Sequence, residues 1–108
     1  MLSSNSHNRL ILYNLTVNVN FDIEAEWFDW MRESHIPKVM YTSQFIDFKI
    51  YRLLGENERI TYAVQFFAKS LAELNCYFEL HAPELTKVQL EKFKHKHVAF
   101  GSILESVI

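Results

Sequence analysis

These 108 residues predict an α+β domain that runs strand, helix, strand, strand, helix, strand. Three observations carry that prediction. Residues 10–20 alternate with a period of two. Two later stretches hold apolar residues at helical spacing. A short polar turn, Gly55-Glu56-Asn57-Glu58, joins two further strand-like runs.

In the first run Ile11, Tyr13, Leu15, Val17 and Val19 share one face, and Leu12, Asn14, Thr16 and Asn18 share the other. One face is therefore fully apolar and the other mixed. Asp22 then offers an N-cap, and Glu24 and Glu26 place negative charge in the first turn, where the helix dipole favours it. Ile23, Trp27, Trp30, Met31 and Ser34 fall on one helical face. Pro37 interrupts this helix and is expected to push Ile36 out of the helical region, with residues 38–42 forming at most one further turn. Residues 45–54 and 60–68 read as an antiparallel hairpin.

Ser70-Leu71-Ala72-Glu73 has the form of a capping box. The helix it opens carries Leu71, Leu74, Phe78, His81, Leu85 and Val88 in one stripe. Pro83 lies inside it, so a kink or a break into two helices is expected there. The second half runs to about residue 96, its basic end (Lys92, Lys94, His95, Lys96) suiting a helix C-terminus. Residues 97–107 form the last strand.

This order is the split-βαβ, ferredoxin-like arrangement. Right-handed crossovers put both helices on one face of a four-stranded antiparallel sheet. The other face stays uncovered. Tyr51, Tyr62, Phe66, Phe67 and Phe100 cannot all lie beneath two helices, and an aromatic patch is rarely left in water. A homodimer through the exposed sheet face would bury it.

Composition excludes several classes. The chain is 49% hydrophobic, which argues against disorder, and its net charge of -2 gives nucleic acid little to bind. No stretch is long and apolar enough for a membrane span. Residues 1–9 read as a disordered tail, and residues 10–108 as a single domain. The tail lacks a signal-peptide core, and Cys76 is the lone cysteine, so the expected address is the cytoplasm. With two glycines in all, a phosphate-cradling loop is close to excluded. His95-Lys96-His97 lacks the further ligands a metal needs and reads as a solvated helix end. No metal and no cofactor are expected.

The two halves share an echo. Glu33-Ser34-His35-Ile36-Pro37-Lys38-Val39 matches Glu79-Leu80-His81-Ala82-Pro83-Glu84-Leu85 in its Glu, His, Pro and aliphatic positions. Each Pro removes an N–H and frees a carbonyl one turn back. His35 and His81 lie near those freed groups. They either satisfy them or line a pocket and move protons.

Several of these segments resemble a bacterial family known only as a domain of unknown function. They are Ile11-Leu12-Tyr13-Asn14, Val17-Asn18-Val19, Trp27-Phe28-Asp29-Trp30-Met31, residues 35–40, residues 81–85 and Phe93. The resemblance covers nearly everything from Leu10 onward. That family is similar to the dimeric α/β-barrel group, which includes cofactor-free monooxygenases, haem-degrading enzymes, sugar mutarotases and stress-response proteins. Membership implies the ferredoxin-like fold and a sheet-to-sheet dimer, and it supplies no activity. By the same resemblance His81 would be the residue placed to ligate a haem, which nothing else in the chain asks for. This sequence departs from the family pattern at Gln89, where a His is expected, at Lys92, where an Arg is, and in residues 41–44, which lack a Gly.

The candidate site lies between helices and sheet, where ligands of that group sit. His81, His35 and Tyr77 are the catalytic candidates, and Trp27 and Trp30 the ligand-binding ones. The same residues also describe an ordinary aromatic core. Two functions follow: a homodimeric module that binds a small molecule or serves structurally, or a cofactor-free enzyme acting on a small aromatic or carbonyl compound through a helix-borne His.

Overall fold

The alternating run at the start of the chain becomes an inner strand of the sheet. In the computed structural model residues 10–55 and 59–107 are described. The N-terminal tail (1–9), Glu56, Asn57 and Glu58 of the polar turn, and Ile108 lie outside the described residues. The elements are β1 (Ile11–Asn20), a 3-10 turn (Phe21–Ile23), α1 (Glu24–Trp30), a π-helical segment (Met31–His35) and α2 (Ile36–Tyr41). Then follow β2 (Phe45–Arg52), β3 (Arg59–Ala68), α3 (Leu71–Leu80), α4 (Ala82–Lys92) and β4 (His97–Glu105). The sheet is antiparallel in the order β2-β3-β1-β4. This is the ferredoxin-like arrangement expected from the sequence.

Register decides which residues face the helices. Leu15, Val17 and Val19 sit opposite Val64, Tyr62 and Ile60 of β3. These side chains meet Trp27, Met31, Ile36, Val39, Leu74 and Tyr77 from the helices and form the core. Tyr62 and Phe66 thus belong inside. Phe67, Tyr51 and Phe100 share the opposite face with Leu12, Ala63 and Thr16, their register partners. On that open face Phe100 is 60% exposed, Val98 55%, Tyr51 50% and Leu104 43%. Between them runs a stripe of amides and hydroxyls. Gln65 Nε2 donates to Asn14 Oδ1 at 3.2 Å, and Asn14 Nδ2 donates to Thr16 Oγ1 at 3.0 Å.

Four local expectations are corrected. Asp22 does not cap the first helix: α1 begins after Ile23, whose side chain makes no cap bond. The β1–β4 pairing brings Lys96 to Asp22, with Asn20 N–H donating to Lys96 O at 3.0 Å, and Lys96 Nζ takes the carboxylate. Ile36 does not leave the helical region; its φ of -60° and ψ of -45° are helical. The π segment absorbs Pro37 instead. Ile36 N–H donates five residues back to Met31 O, so the helix shifts its bonding just where the proline has no N–H. The stripe on the second helix holds in part: Leu74 is buried and Phe78 and Leu85 pack against the core, but the ends of the stripe do not reach it. Leu74, Tyr77, Ala82 and Gln89 are buried, while Leu71 and Val88 are exposed. Tyr77 sets this phase, its ring wedged between Phe45 at 4.9 Å and Tyr13 at 6.2 Å. Finally, α4 stops at Lys92 rather than near residue 96, because Phe93 leaves the helical region at φ -122° and ψ 45°, and His95 follows at a φ of 70°.

Other local expectations hold. The helix breaks at Pro83, with His81 closing α3 and opening α4. Ser70 Oγ accepts from Glu73 N–H at 3.4 Å, one half of the capping box. The other half does not form: Glu73 Oε2 is buried without a partner among the described residues.

Candidate ligand cleft

The helices cover the middle of the sheet and leave the inner side of edge strand β4 open. Gly101 sits there opposite Leu15, two pairs along from Tyr13 and Ile103. A Cβ on Gly101 would come within 2.5 Å of Tyr13 Cε1 and 2.9 Å of its Oη. The missing side chain is therefore what lets the Tyr13 ring lie across β4. Interior glycine in a strand commonly marks such a close approach.

Tyr13 forms the floor of an open cleft of about 380 Å3, together with Phe78, Gly101, Ser102 and Ile103. Phe78 stands edge-on to Tyr13 at 5.1 Å. It also lines a neighbouring groove of about 540 Å3 along α4, with Ala82, Pro83 and Leu90. Burial raises the pKa of Tyr13. Burial, and then the nearby Tyr13, raise that of Tyr77 further. Both phenols thus remain hydrogen-bond donors at any physiological pH. Sequence reasoning missed Tyr13. The signal was Gly101, one of only two glycines, standing inside a strand pattern.

The two His-x-Pro breaks resolve differently. Among the described residues neither imidazole bonds a freed carbonyl; His97 Nδ1, to Phe93 O at 2.8 Å, is the ring nitrogen that bonds backbone. Each imidazole stacks on an aromatic of its own helix. His81 lies over Tyr77 at 6.3 Å, four residues back. His35 lies over Trp30 at 5.1 Å, five residues back. The π segment accounts for the extra residue, because its hydrogen bonds reach five residues back rather than four.

His81 is half-buried on the wall of a groove of about 380 Å3 between α2 and the α3–α4 break, beside Lys38, Tyr41 and Glu84. Tyr77 stands between this groove and Tyr13. His35 is 4% exposed. Burial, and then Lys38, lower its pKa from 6.5 to about 4. Trp27 is fully buried and packs on Tyr62 at 4.8 Å. Trp30 is half-buried between His35 and Phe93. The structure therefore brings Tyr77 and His81 together, and it groups His35 with Trp30 in a separate packed cluster. Gln89, where the resembled family carries a His, is buried with its Nε2 unpartnered among the described residues. Among the described residues no group of three or more His, Cys, Asp or Glu is placed to hold a metal, and no helix is long and apolar enough to cross a membrane.

Fold and cleft define a ferredoxin-like α+β protein with an aromatic recess at one sheet edge. The chain belongs to the family described as a domain of unknown function, DUF4286, whose model matches residues 10–107. None of the curated proteins matches it. Solved structures do. A dimeric ferredoxin-like protein from an uncultured marine organism is 14% identical, with a TM-score of 0.74 over 93% of this chain and 97% of that one. An ethyl tert-butyl ether D (EthD) family protein from Bacillus halodurans is 12% identical, with 0.67 over 90% and 99%. SnoaB, a cofactor-independent oxygenase from Streptomyces nogalater, is 8% identical, with 0.64 over 94% and 95%. At these identities the likeness establishes the fold.

Proposed function

We propose that the chain works as a homodimer packed through its open sheet face. Each protomer then offers the Tyr13–Phe78 cleft to a small flat molecule with an apolar body and a hydrogen-bond acceptor. The glycine at position 101 carries the ligand half of this reading, because it keeps a phenol-bearing ring at the cleft floor. The half-exposed row of Phe100, Val98, Tyr51 and Leu104 supports the dimer, as burying such a patch is favourable at roughly 25 cal/mol per Å2. A cytoplasmic setting belongs to the same reading, given that Cys76 is a free thiol.

A second reading is a cofactor-free enzyme acting on a small aromatic or carbonyl compound. The Tyr77–His81 stack favours it, since it sets a phenol beside an imidazole on a groove wall. Of the candidates, His81 would be the proton-transfer group and Tyr77 a hydrogen-bond donor beside it. His35, held neutral in the core, suits that role less, and Trp27 and Trp30 pack away from this pair, against Tyr62 and against His35 and Phe93.

The test uses 2-acetylnaphthalene, a flat carbonyl-bearing probe. It is expected to raise the melting temperature of the wild-type chain, and Tyr13→Phe is expected to weaken that shift. An equal shift in both would refute the role of the phenol. Light scattering is expected to give twice the monomer mass for the wild type and the monomer mass for Phe100→Asp. A wild-type monomer at micromolar concentration would refute the dimer.

A further inference from the structure

The Tyr13 cleft does not end at Phe78. The same ring also lines the groove that runs along α4, so the two hollows share one wall. That wall is a single aromatic ring, edge-on to Tyr13 at 5.1 Å. The groove, at about 540 Å3, is the larger of the two; the cleft holds about 380 Å3. A flat head with one acceptor fills the cleft and leaves the groove unused.

The groove has a cause in the sequence. Ala82, Leu85 and Gln89 turn to the core: Ala82 and Gln89 are buried, and Leu85 packs against it. Pro83, Thr86 and Leu90 repeat the same spacing one residue further on, and these line the groove. One residue turns a helix face by about 100°, so this second stripe looks sideways off the core. It leaves Leu90 47% exposed, on the side of α4 that Phe78 shares. The charged groups in the lining, Lys87 and Glu91, are of opposite sign, so the lining favours neither an anion nor a cation.

We propose that the site takes a ligand in two parts. A flat, acceptor-bearing head lies in the Tyr13 cleft, and an uncharged alkyl chain crosses at Phe78 and lies along Pro83, Thr86 and Leu90. The stripe from Pro83 to Leu90 rises about 10 Å, the length of about eight alkyl carbons. Aryl ketones with a medium-length alkyl chain are the class that fits. This inference rests on the cleft reading and names its ligand class; it needs nothing from the dimer.

The experiment titrates the full chain with 2-acetylnaphthalene and with 2-octanoylnaphthalene, following backbone amide resonances. The longer ketone is expected to bind about tenfold more tightly, because an open groove buries its additional methylenes only in part. Its additional shifts are expected at Thr86, Leu90 and Glu91. Leu90→Asn and Thr86→Glu, both at exposed positions, are each expected to remove most of that gain and to leave the acetyl compound's affinity unchanged. Equal affinity of the two ketones would overturn the proposal and leave the cleft reading standing. So would a gain that persists in both variants, which would mark non-specific partitioning of the chain. Failure of both ketones to bind the wild type would overturn the cleft reading and this inference together.

Discussion

Substituting Gly101 by Ala tests the packing at the cleft directly. The new Cβ would lie 2.5 Å from Tyr13 Cε1, and ordinary contact begins at 3.4 Å, so the ring must retreat by about 0.9 Å. It has little room to do so. Phe66 stacks beside it at 6.3 Å, Phe78 meets it edge-on at 5.1 Å, and Tyr77 lies at 6.2 Å. Overpacking of this kind costs about 1–3 kcal/mol. Replacing a strand glycine by alanine recovers about 0.5–1 kcal/mol of chain entropy. The net loss is about 1–2 kcal/mol, or roughly 5–15 °C in melting temperature for a domain of this size. The assay is thermal unfolding followed by circular dichroism, in two backgrounds. With Tyr13 present, Gly101→Ala lowers the midpoint. With Tyr13→Leu already in place the clash is gone, and the same change is neutral or stabilising. An equal loss in both backgrounds would show that the glycine answers to the strand itself and not to Tyr13.

Further predictions concern stability. His35 has its pKa lowered from 6.5 to about 4 in the folded chain, so the unfolded chain takes up a proton that the folded one resists. Stability is therefore full above pH 6.5 and is lost as pH falls from there toward 4. The loss is about 2 kcal/mol between pH 7 and pH 5, and urea midpoints in wild type and His35→Phe measure it: the variant should lack this slope. Tyr62→Phe removes the donor to Glu24 and is expected to cost about 1–2 kcal/mol. A double-mutant cycle with Glu24→Gln should show that the two losses do not add. Ser70→Ala removes a long cap bond of 3.4 Å and should cost only about 0.5 kcal/mol by chemical denaturation.

The sheet was legible because period two leaves little freedom: Leu15, Val17 and Val19 had to face one way, and they do. The helix break at Pro83 was legible for the same kind of reason, since a proline in mid-helix has few outcomes. Features that depend on distant partners were not legible. Lys96 draws Asp22 away from its cap through a strand pairing that no local pattern encodes. Tyr77 outcompetes Phe78 for the core because Phe45 and Tyr13 shape a slot for it. The candidate site was half legible. His81 and Tyr77 come together as helical spacing implies, whereas Tyr13 joins them only through the β1–β4 register and the gap at Gly101.

The π segment has a consequence for how this chain is aligned with its relatives. Each residue of an α-helix advances the face by about 100°. One surplus residue in Met31–His35 therefore rotates everything after it by that angle relative to everything before it. Ile36 and Val39 reach the core only with that offset in place. A relative that lacks the surplus residue would present the same faces with one position fewer, so a correct alignment must open a single-residue gap inside an uninterrupted helix. Deleting one residue there would leave the helix continuous and turn the wrong side of α2 toward the sheet.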